Sequence, residues 1–236
     1  VTGGAGFLGS WCVKELLERG YHVRATVRDE GAAAFLRTLP GAGSGLTLVP
    51  NVDLLTQSAG LDDALSGCDA VLHTASPFRM GGTFDEMVPP ALDGTRHVLA
   101  ACARLGVQDV VLTSSIMAVA TTFGRLPASH VFSEEDWSDE DLLRERGAFY
   151  PLAKVLAEKA AWEAARKPDS PIRLATLAPT LILGPMLPGQ PHLNTSTALV
   201  RGYLDGSMSQ IPNGCLSCVD VRDVAEAHVH LLDPAH

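Results

Sequence analysis

Basic residues are scarce. Eighteen lysines and arginines face 27 acidic residues, for a formal charge of −9. No basic run appears, so the electrostatic footprint of a nucleic-acid binder is missing and nucleic acid is excluded as a partner. No apolar run is long enough to cross a bilayer, and no signal peptide is seen, so no membrane partner is expected. The five cysteines, Cys12, Cys68, Cys102, Cys215 and Cys218, are odd in number and scattered. Cys215-Leu-Ser-Cys218 is a lone CxxC with no second pair and no histidine set around it. Free thiols are therefore expected, and with them a reducing, cytoplasmic setting. The histidines show no metal spacing. His228 and His230 are i,i+2 on a helical pattern and point different ways, and His73 at a strand end reads as a packed histidine, so no metal is expected. No internal repeat or low-complexity tract stands out. There is no initiator Met, and the chain stops at Asp233-Pro-Ala-His236 just beyond a helical pattern. Both ends read as cut, as in a fragment of a longer protein.

What is present begins at the first residue. Val1-Thr2-Gly3-Gly4-Ala5-Gly6-Phe7-Leu8-Gly9 runs an apolar residue and a threonine into glycines spaced by three, with an amphipathic helix behind them. That is the pattern of a strand–turn–helix phosphate cradle. Gly3 lets the chain turn, Gly6 lets the backbone approach a pyrophosphate, and Gly9 lets the helix pack on a sheet. The helix N-terminus offers N–H groups and a positive dipole end to the anion.

Downstream, short apolar strands alternate with helices. The pattern predicts a helix over 11–19 stopped by Gly20, a strand over 21–27, a short helix over 32–39, a loop over 40–45 and a strand over 46–49. A helix over 61–65 and a strand over 70–73 follow. Next come a long helix over about 90–104, a strand over 109–113, a helix over 152–165 and a strand over 172–177. This alternation predicts an α/β fold, a doubly wound parallel sheet of Rossmann type. After Pro179 the regular alternation gives way to frequent Gly and Pro. The expected division is a dinucleotide-binding core over 1–178 and the start of a smaller substrate lobe over 179–236, interleaved with the core, its C-terminal remainder missing.

Ligands of open α/β sheets sit beyond the carboxyl ends of the strands. The informative residues are therefore Arg28, Asp53, Thr74 to Phe78, Ser114-Ser115 and Pro179-Thr180. Tyr150-Pro-Leu-Ala-Lys154 opens a helix, with Pro151 suited to its first turn and Tyr150 and Lys154 one turn apart. A neighbouring ammonium favours the phenolate and is expected to lower the tyrosine pKa. Ser115 or its rival Ser114 can donate to a carbonyl oxygen that gains charge during reduction. Asp220, Arg222 and Asp223 read as a helix cap, and the acids around Trp137 as a solvated loop with one anchoring aromatic.

Together, Thr2-Gly3-x-x-Gly6-x-x-Gly9, His73-Thr-Ala-Ser-Pro-Phe78, Leu112-Thr-Ser-Ser115, Tyr150-x-x-x-Lys154 and Val219 to His228 resemble the extended short-chain dehydrogenase/reductases. The similar branch is the dihydroflavonol reductase, cinnamoyl-CoA reductase and yeast-type methylglyoxal/ketone reductase group, and His192-Leu-Asn-Thr-Ser196 looks most like the yeast-type enzymes. The resemblance implies NADP(H) as cofactor and a small-molecule carbonyl substrate, in a monomer or homodimer. It implies catalytic roles for Ser115, Tyr150 and Lys154, with Tyr150 as proton donor. It implies cofactor contacts from Gly3, Gly6, Phe7, Leu8, Asp53, Leu54, Thr74, Ala75, Ser76, Tyr150, Lys154, Pro179, Thr180, Ile182 and Ser196. Arg28, next after the strand that ends at Val27, can fork onto a 2′-phosphate. Asp29 is placed one residue further into the loop and turned away, and Arg37 is the only other cation nearby.

The chain departs from the plant enzymes of this branch. Cinnamoyl-CoA reductases carry Asn-Trp-Tyr-Cys-Tyr where this chain has Ala148-Phe-Tyr-Pro-Leu152. The flavonol enzymes place an Asn after the serines where this chain has Ile116-Met-Ala-Val-Ala120. Neither plant substrate is therefore expected. A sugar-nucleotide epimerase or dehydratase on the same fold and a non-catalytic dinucleotide sensor are the rival readings. The first lacks a carboxylate beside Ser115, and the second tends to lose the tyrosine that is kept here.

Overall fold

A computed structural model describes residues 1–55, 59–78, 81–127, 129–191, 193–210 and 216–233. The chain forms two units, one of Val1–Asn51 with Thr180–His236 and one of Val52–Pro179. The stretch expected as a single core over 1–178 is divided between these units, and residues 180–236 group with the first of them.

In the first unit, helix α1 (Phe7–Glu18) leads to strand β1 (Val23–Val27), a 3₁₀ turn over Ala34–Thr38, helix α2 (Ala42–Gly45) and strand β2 (Leu46–Pro50). β1 and β2 pair in parallel from Val23↔Leu46 to Val27↔Pro50. The opening residues lie beside β1: the Thr26 N–H donates to the Val1 carbonyl, and the Gly4 N–H returns to the Thr26 carbonyl, both at 3.0 Å. α1 buries Leu8, Cys12, Val13, Leu16 and Leu17 along one stripe. Gly4 makes a close approach to β1. A Cβ on Gly4 would sit 2.7 Å from the Ala25 Cβ of β1.

Two stretches of this unit differ from expectation. Residues 40–45, expected as a loop, close with the single turn of α2, entered through Gly41 at φ +81°. The segment after Pro179 is also regular. Strand β6 (Leu181–Leu183), helix α8 (Thr195–Leu204), strand β7 (Cys218–Asp220) and helix α9 (Val221–His230) continue the strand–helix alternation, and β6 pairs in parallel with β7. Strands of three residues are too short to show periodicity against a Gly/Pro background. Asp220 caps α9 as expected, accepting from the Arg222 N–H at 2.8 Å. α9 packs on α1 through Val221, Val224, Ala225, His228 and Val229.

In the second unit, helix α3 (Ala59–Leu65), strand β3 (Ala70–His73), helix α4 (Phe84–Leu105) and strand β4 (Asp109–Thr113) are followed by the single turn α5 (Ile116–Val119). Helices α6 (Glu140–Glu145) and α7 (Phe149–Ala165) and strand β5 (Arg173–Leu177) complete it. β3, β4 and β5 form a parallel sheet in that order, with Arg173 forking onto Asp109 at 2.6 Å where they pair in register.

α4 starts six residues before the expected Pro90. A capping box between Thr83 and Glu86 fixes the start at Phe84, and the helix runs on through Pro89 and Pro90. α4 and α7 pack against each other, burying Met87, Val88, Ala91, Leu152, Ala153 and Val155. Trp137 packs on this core, and the acids that follow it are not simply a solvated loop. Asp139 caps α6 through the Asp141 and Leu142 N–H groups at 3.0 Å. Among the described residues no helix is long and apolar enough to cross a membrane. None of the described groups of His, Cys, Asp and Glu could hold a metal ion. Cys12, Cys68, Cys102 and Cys218 are free thiols; Cys215 lies outside the described residues.

The Gly4–Ala25 approach gives a stability test. Gly4→Ala forces two backbone-anchored methyl groups together, since neither can rotate away. The expected cost is about 1–3 kcal/mol, as for other overpacked cores, read as a lowered midpoint in thermal or urea denaturation against wild type.

Candidate functional site

The glycine turn of the first unit is built as a cradle. Gly3 sits at φ +66°, where a side chain is strained. Its N–H donates to Thr26 Oγ1 at 3.2 Å, and the Gly6 N–H closes back on the Gly3 carbonyl at 2.9 Å. Gly6 is the N-cap of α1 with no side-chain cap, so no side chain claims the N–H groups of the first turn, which begins with Phe7 and Leu8. A Cβ on Gly6 would stand 3.1 Å from the Gly3 carbonyl oxygen, closing the cradle. Beside it, Gln190 donates from Nε2 to the Ala5 carbonyl at 3.3 Å. Gln190 Oε1 is buried without a hydrogen-bond partner among the described residues. A helix N-terminus with no side-chain cap offers its N–H groups to an anion and fits a bound dinucleotide pyrophosphate. Gln190 was missed by the sequence reading, because nothing in a Gly-Gln-Pro loop signals a contact with residue 5.

β1 ends at Val27, as expected, and Arg28 follows it, exposed. Asp29 Oδ1 accepts from the Gly31 N–H at 2.8 Å, so its carboxylate is engaged in its own turn. Arg37, the other nearby cation, is paired with Glu30. Thr180 and Ile182 are half-buried, Thr180 just before β6 and Ile182 within it. Ser196 is buried in the first turn of α8, whose N-cap is Asn194, accepting from Thr197 N–H at 2.9 Å. Part of the His192–Ser196 motif thus serves as a helix cap; His192 itself lies outside the described residues.

In the second unit, Thr74, Ala75 and Ser76 follow β3, and Ala75 and Ser76 line a small cavity with Thr113, Ser114, Lys154 and Glu158. Asp53 is exposed and takes the Leu55 N–H at 2.9 Å. The Leu54 carbonyl accepts from His97 Nδ1 at 2.9 Å, and Leu54 packs over Gly94. Leu54 is thus held against α4, and neither Asp53 nor Leu54 is among the residues lining this cavity. The Pro179 carbonyl accepts from the Ile116 N–H at 3.0 Å, fixing the residue after Ser115.

Ser115, Tyr150 and Lys154 come together as the motif implied. Ser115 caps α5: its Oγ accepts from the Met117 N–H at 3.2 Å, which leaves its proton free to donate, and it hydrogen-bonds the Tyr150 phenol. Ser114 is turned elsewhere, donating to the Glu158 carboxylate. Phe78 packs on Tyr150, ring centroids 4.9 Å apart. Lys154 is buried and donates from Nζ to the Thr113 carbonyl at 3.0 Å, with Nζ 5.9 Å from the Tyr150 ring centroid. Glu158, also missed in the sequence, is buried one turn further along α7; it also accepts from Thr176 Oγ1 at 2.9 Å and Trp162 Nε1 at 3.3 Å.

The electrostatics correct one expectation. The Tyr150 phenol is raised above its usual pKa, not lowered: burial outweighs the Ser115 hydrogen bond, which pulls the other way. Burial lowers Lys154 to about 8 against the opposing pull of Glu158. His73, buried and hydrogen-bonded to Thr95 Oγ1 at 3.3 Å, is pushed down to about 3 by burial and by Lys154, so it is neutral, as a packed histidine should be.

A profile of the NAD dependent epimerase/dehydratase family matches residues 1–236. The chain belongs to that family. It is 45% identical over 231 residues to cinnamoyl-CoA reductase 1 of Oryza sativa, covering 97% of this chain and 65% of that protein. Among solved structures it resembles vestitone reductase from alfalfa, with a TM-score of 0.82 at 36% identity, over 100% of this chain and 72% of that one. It also resembles Gre2 from Candida albicans in complex with NADPH, with a TM-score of 0.83 at 31% identity, over 99% and 73%. The fold is thus the Rossmann-type α/β fold of the extended short-chain dehydrogenase/reductases. The chain spans about two thirds of the length of the curated relatives it matches. Overall identity is higher to the rice enzyme than to the yeast protein, although the local motif 192–196 looks more like the yeast-type group.

The Ser115–Tyr150 bond can be tested without substrate. Ser115→Ala removes the group that favours the phenolate, so Tyr150 should ionise at still higher pH. Ser114→Ala should leave the step in place, because Ser114 is bonded to Glu158. The readout is the tyrosinate absorbance titration, with the Tyr150 step assigned from Tyr150→Phe.

Proposed function

We propose that this protein is an NADP(H)-dependent reductase acting on the carbonyl of a small aldehyde or ketone. The observation that carries the reading is the joining of Ser115, Tyr150 and a buried Lys154 in one constellation. The cofactor, when bound, supplies the hydride. Gly3, Gly6, Phe7 and Leu8 would hold its pyrophosphate, and Asp53 and Leu54 its adenine. Thr74 to Ser76, Pro179, Thr180 and Ile182 would border its ribose and nicotinamide, with Ser196 a further contact. Residues 179–236 begin the substrate lobe.

Tyr150 holds the proton to be delivered. Its raised pKa keeps the phenol protonated at neutral pH, the state a general acid needs. Ser115, its proton not committed to its own turn, donates to the substrate oxygen and steadies it as charge develops there. Lys154 holds the ribose and supplies a fixed positive charge near the phenol as it gives up its proton. Phe78 covers one side of Tyr150 and limits its contact with water.

Elimination or epimerisation on a sugar nucleotide is disfavoured by Ile116 and Met117, which follow Ser115 where a dehydratase carries acids. A sensor has no use for the retained Tyr150 and Lys154. Arg28 is the residue we assign to a 2′-phosphate, since Asp29 and Arg37 are engaged within their own loop.

Two measurements test the reading. Tyr150→Phe should cut turnover of small carbonyls with NADPH on the order of a hundredfold or more, with cofactor affinity barely changed. Arg28→Ala should weaken NADPH by about 2 kcal/mol in a binding titration while leaving NADH nearly unchanged. Retained turnover in the first, or equal losses for both cofactors in the second, would remove that residue from its role.

A further inference from the structure

Among the described residues, Lys154 and Glu158 are the only charged ones lining the small cavity between β4 and α7; the rest of that lining is neutral, with Thr95, Thr113 and Ser114 among it. Both are buried, and they sit one turn apart on the same helix. Glu158 is held from three directions. Ser114 donates to it from the end of β4, Thr176 from β5 and Trp162 from its own helix. A carboxylate fixed by three donors has no freedom to swing toward solvent. The lysine has one carbonyl partner, that of Thr113, and a carbonyl alone does not offset the burial of an ammonium.

Other groups near Lys154 do not supply the missing charge. His73 on β3 is neutral, and the Tyr150 phenol on α7 is protonated at neutral pH. α4 contributes Thr95, and α5 is represented by Ser115, which faces Tyr150. On α6, Glu140 is taken up by Lys159 and Arg144.

We propose that Glu158 is the positioning residue that keeps the Lys154 ammonium charged in its buried seat. By accepting from Ser114 it also holds that hydroxyl away from Tyr150, so that Ser115 alone addresses the phenol. The inference rests on the place of Lys154 in the proposed reductase site. Its deciding measurement, the lysine titration, uses no substrate, so the reductase reading and this role can fail separately.

The experiment is an NMR titration of the protein carrying lysine labelled at Cε, with the Lys154 resonance assigned from Lys154→Arg. In wild type the midpoint is expected near 8. A wild-type midpoint below neutrality overturns the proposal outright. In Glu158→Gln, which keeps the shape and removes the charge, the midpoint should fall by about one pH unit or more. An unchanged midpoint in the folded variant overturns it. Should Glu158→Gln fail to fold, Glu158→Asp carries the test. It keeps the charge but withdraws it by one methylene, so the midpoint should fall part-way, and no fall overturns the proposal. Thr176→Val removes one hydrogen bond to Glu158 without touching its charge, and its midpoint should stay at the wild-type value. A fall there as large as in Glu158→Gln means packing, not charge, sets the lysine, and the role assigned to Glu158 is lost. In the active protein the alkaline limb of kcat/KM should move down in Glu158→Gln by the same interval as the NMR midpoint.

Discussion

Burying an ammonium between a helix and a parallel sheet is costly, and the second unit is arranged around meeting that cost at Lys154. α7 must lie close enough to β4 for Nζ to reach the Thr113 carbonyl. That closeness comes from small residues on the buried face of the helix, Ala153, Ala157, Ala160 and Ala161. It is backed by α4, which packs along α7 and brings Met87, Val88 and Ala91 into the same core. The same closeness puts Glu158 beside the ends of β4 and β5, where two strand hydroxyls can reach it. Tyr150 is then fixed from three sides, by the helix that carries it, by Ser115 beyond β4 and by the ring of Phe78.

The division of labour between the paired serines follows from this packing rather than from their own preferences. Both stand at the end of β4, and in sequence they are interchangeable. One is committed because a buried carboxylate lies on its side of the chain; the other caps a single helical turn with its oxygen and so keeps its proton available. The apolar turn after Ser115, pinned by the Pro179 carbonyl, holds this geometry.

Much of this was legible in the sequence, and the reason is period and spacing. Short, largely apolar strands ending at Val27, His73, Thr113 and Leu177 were recognisable, and the residues after them formed the candidate list. Tyr150 and Lys154 were readable because helical spacing puts them on one face. What was not readable depends on partners distant in the chain. Glu158 looks like any acid on a helix until Thr176 and Ser114 are seen to reach it. Gln190 meets residue 5 across a separation no local pattern encodes. The close contact at Gly4 needs Ala25 opposite it. The proline pair in α4 misled for a physical reason. Proline normally marks a helix start, but a capping box six residues earlier had already set one. The expected drop in the Tyr150 pKa failed because proximity in sequence says nothing about burial, and burial was the larger effect.

In the loop after β1, side-chain commitments bear on the proposed role of Arg28 in the same way. An acid about twenty residues beyond a glycine turn is the ordinary signal for a ribose 2′-hydroxyl, and Asp29 stands near that place. Here one carboxylate oxygen of Asp29 is held by the Gly31 N–H two residues on, which ties the side chain to its own turn. Withdrawing it to reach a ligand would leave that N–H to solvent and open the turn. Arg37 is likewise spent on Glu30. Arg28 is exposed and has no ion-pair or hydrogen-bond partner among the described residues, so the cost of turning it toward a phosphate is side-chain entropy alone. A preference that rests on one guanidinium, without a second cation to share the charge, should be moderate in size and sensitive to salt, because an exposed charge pair is screened within about 10 Å at ordinary ionic strength.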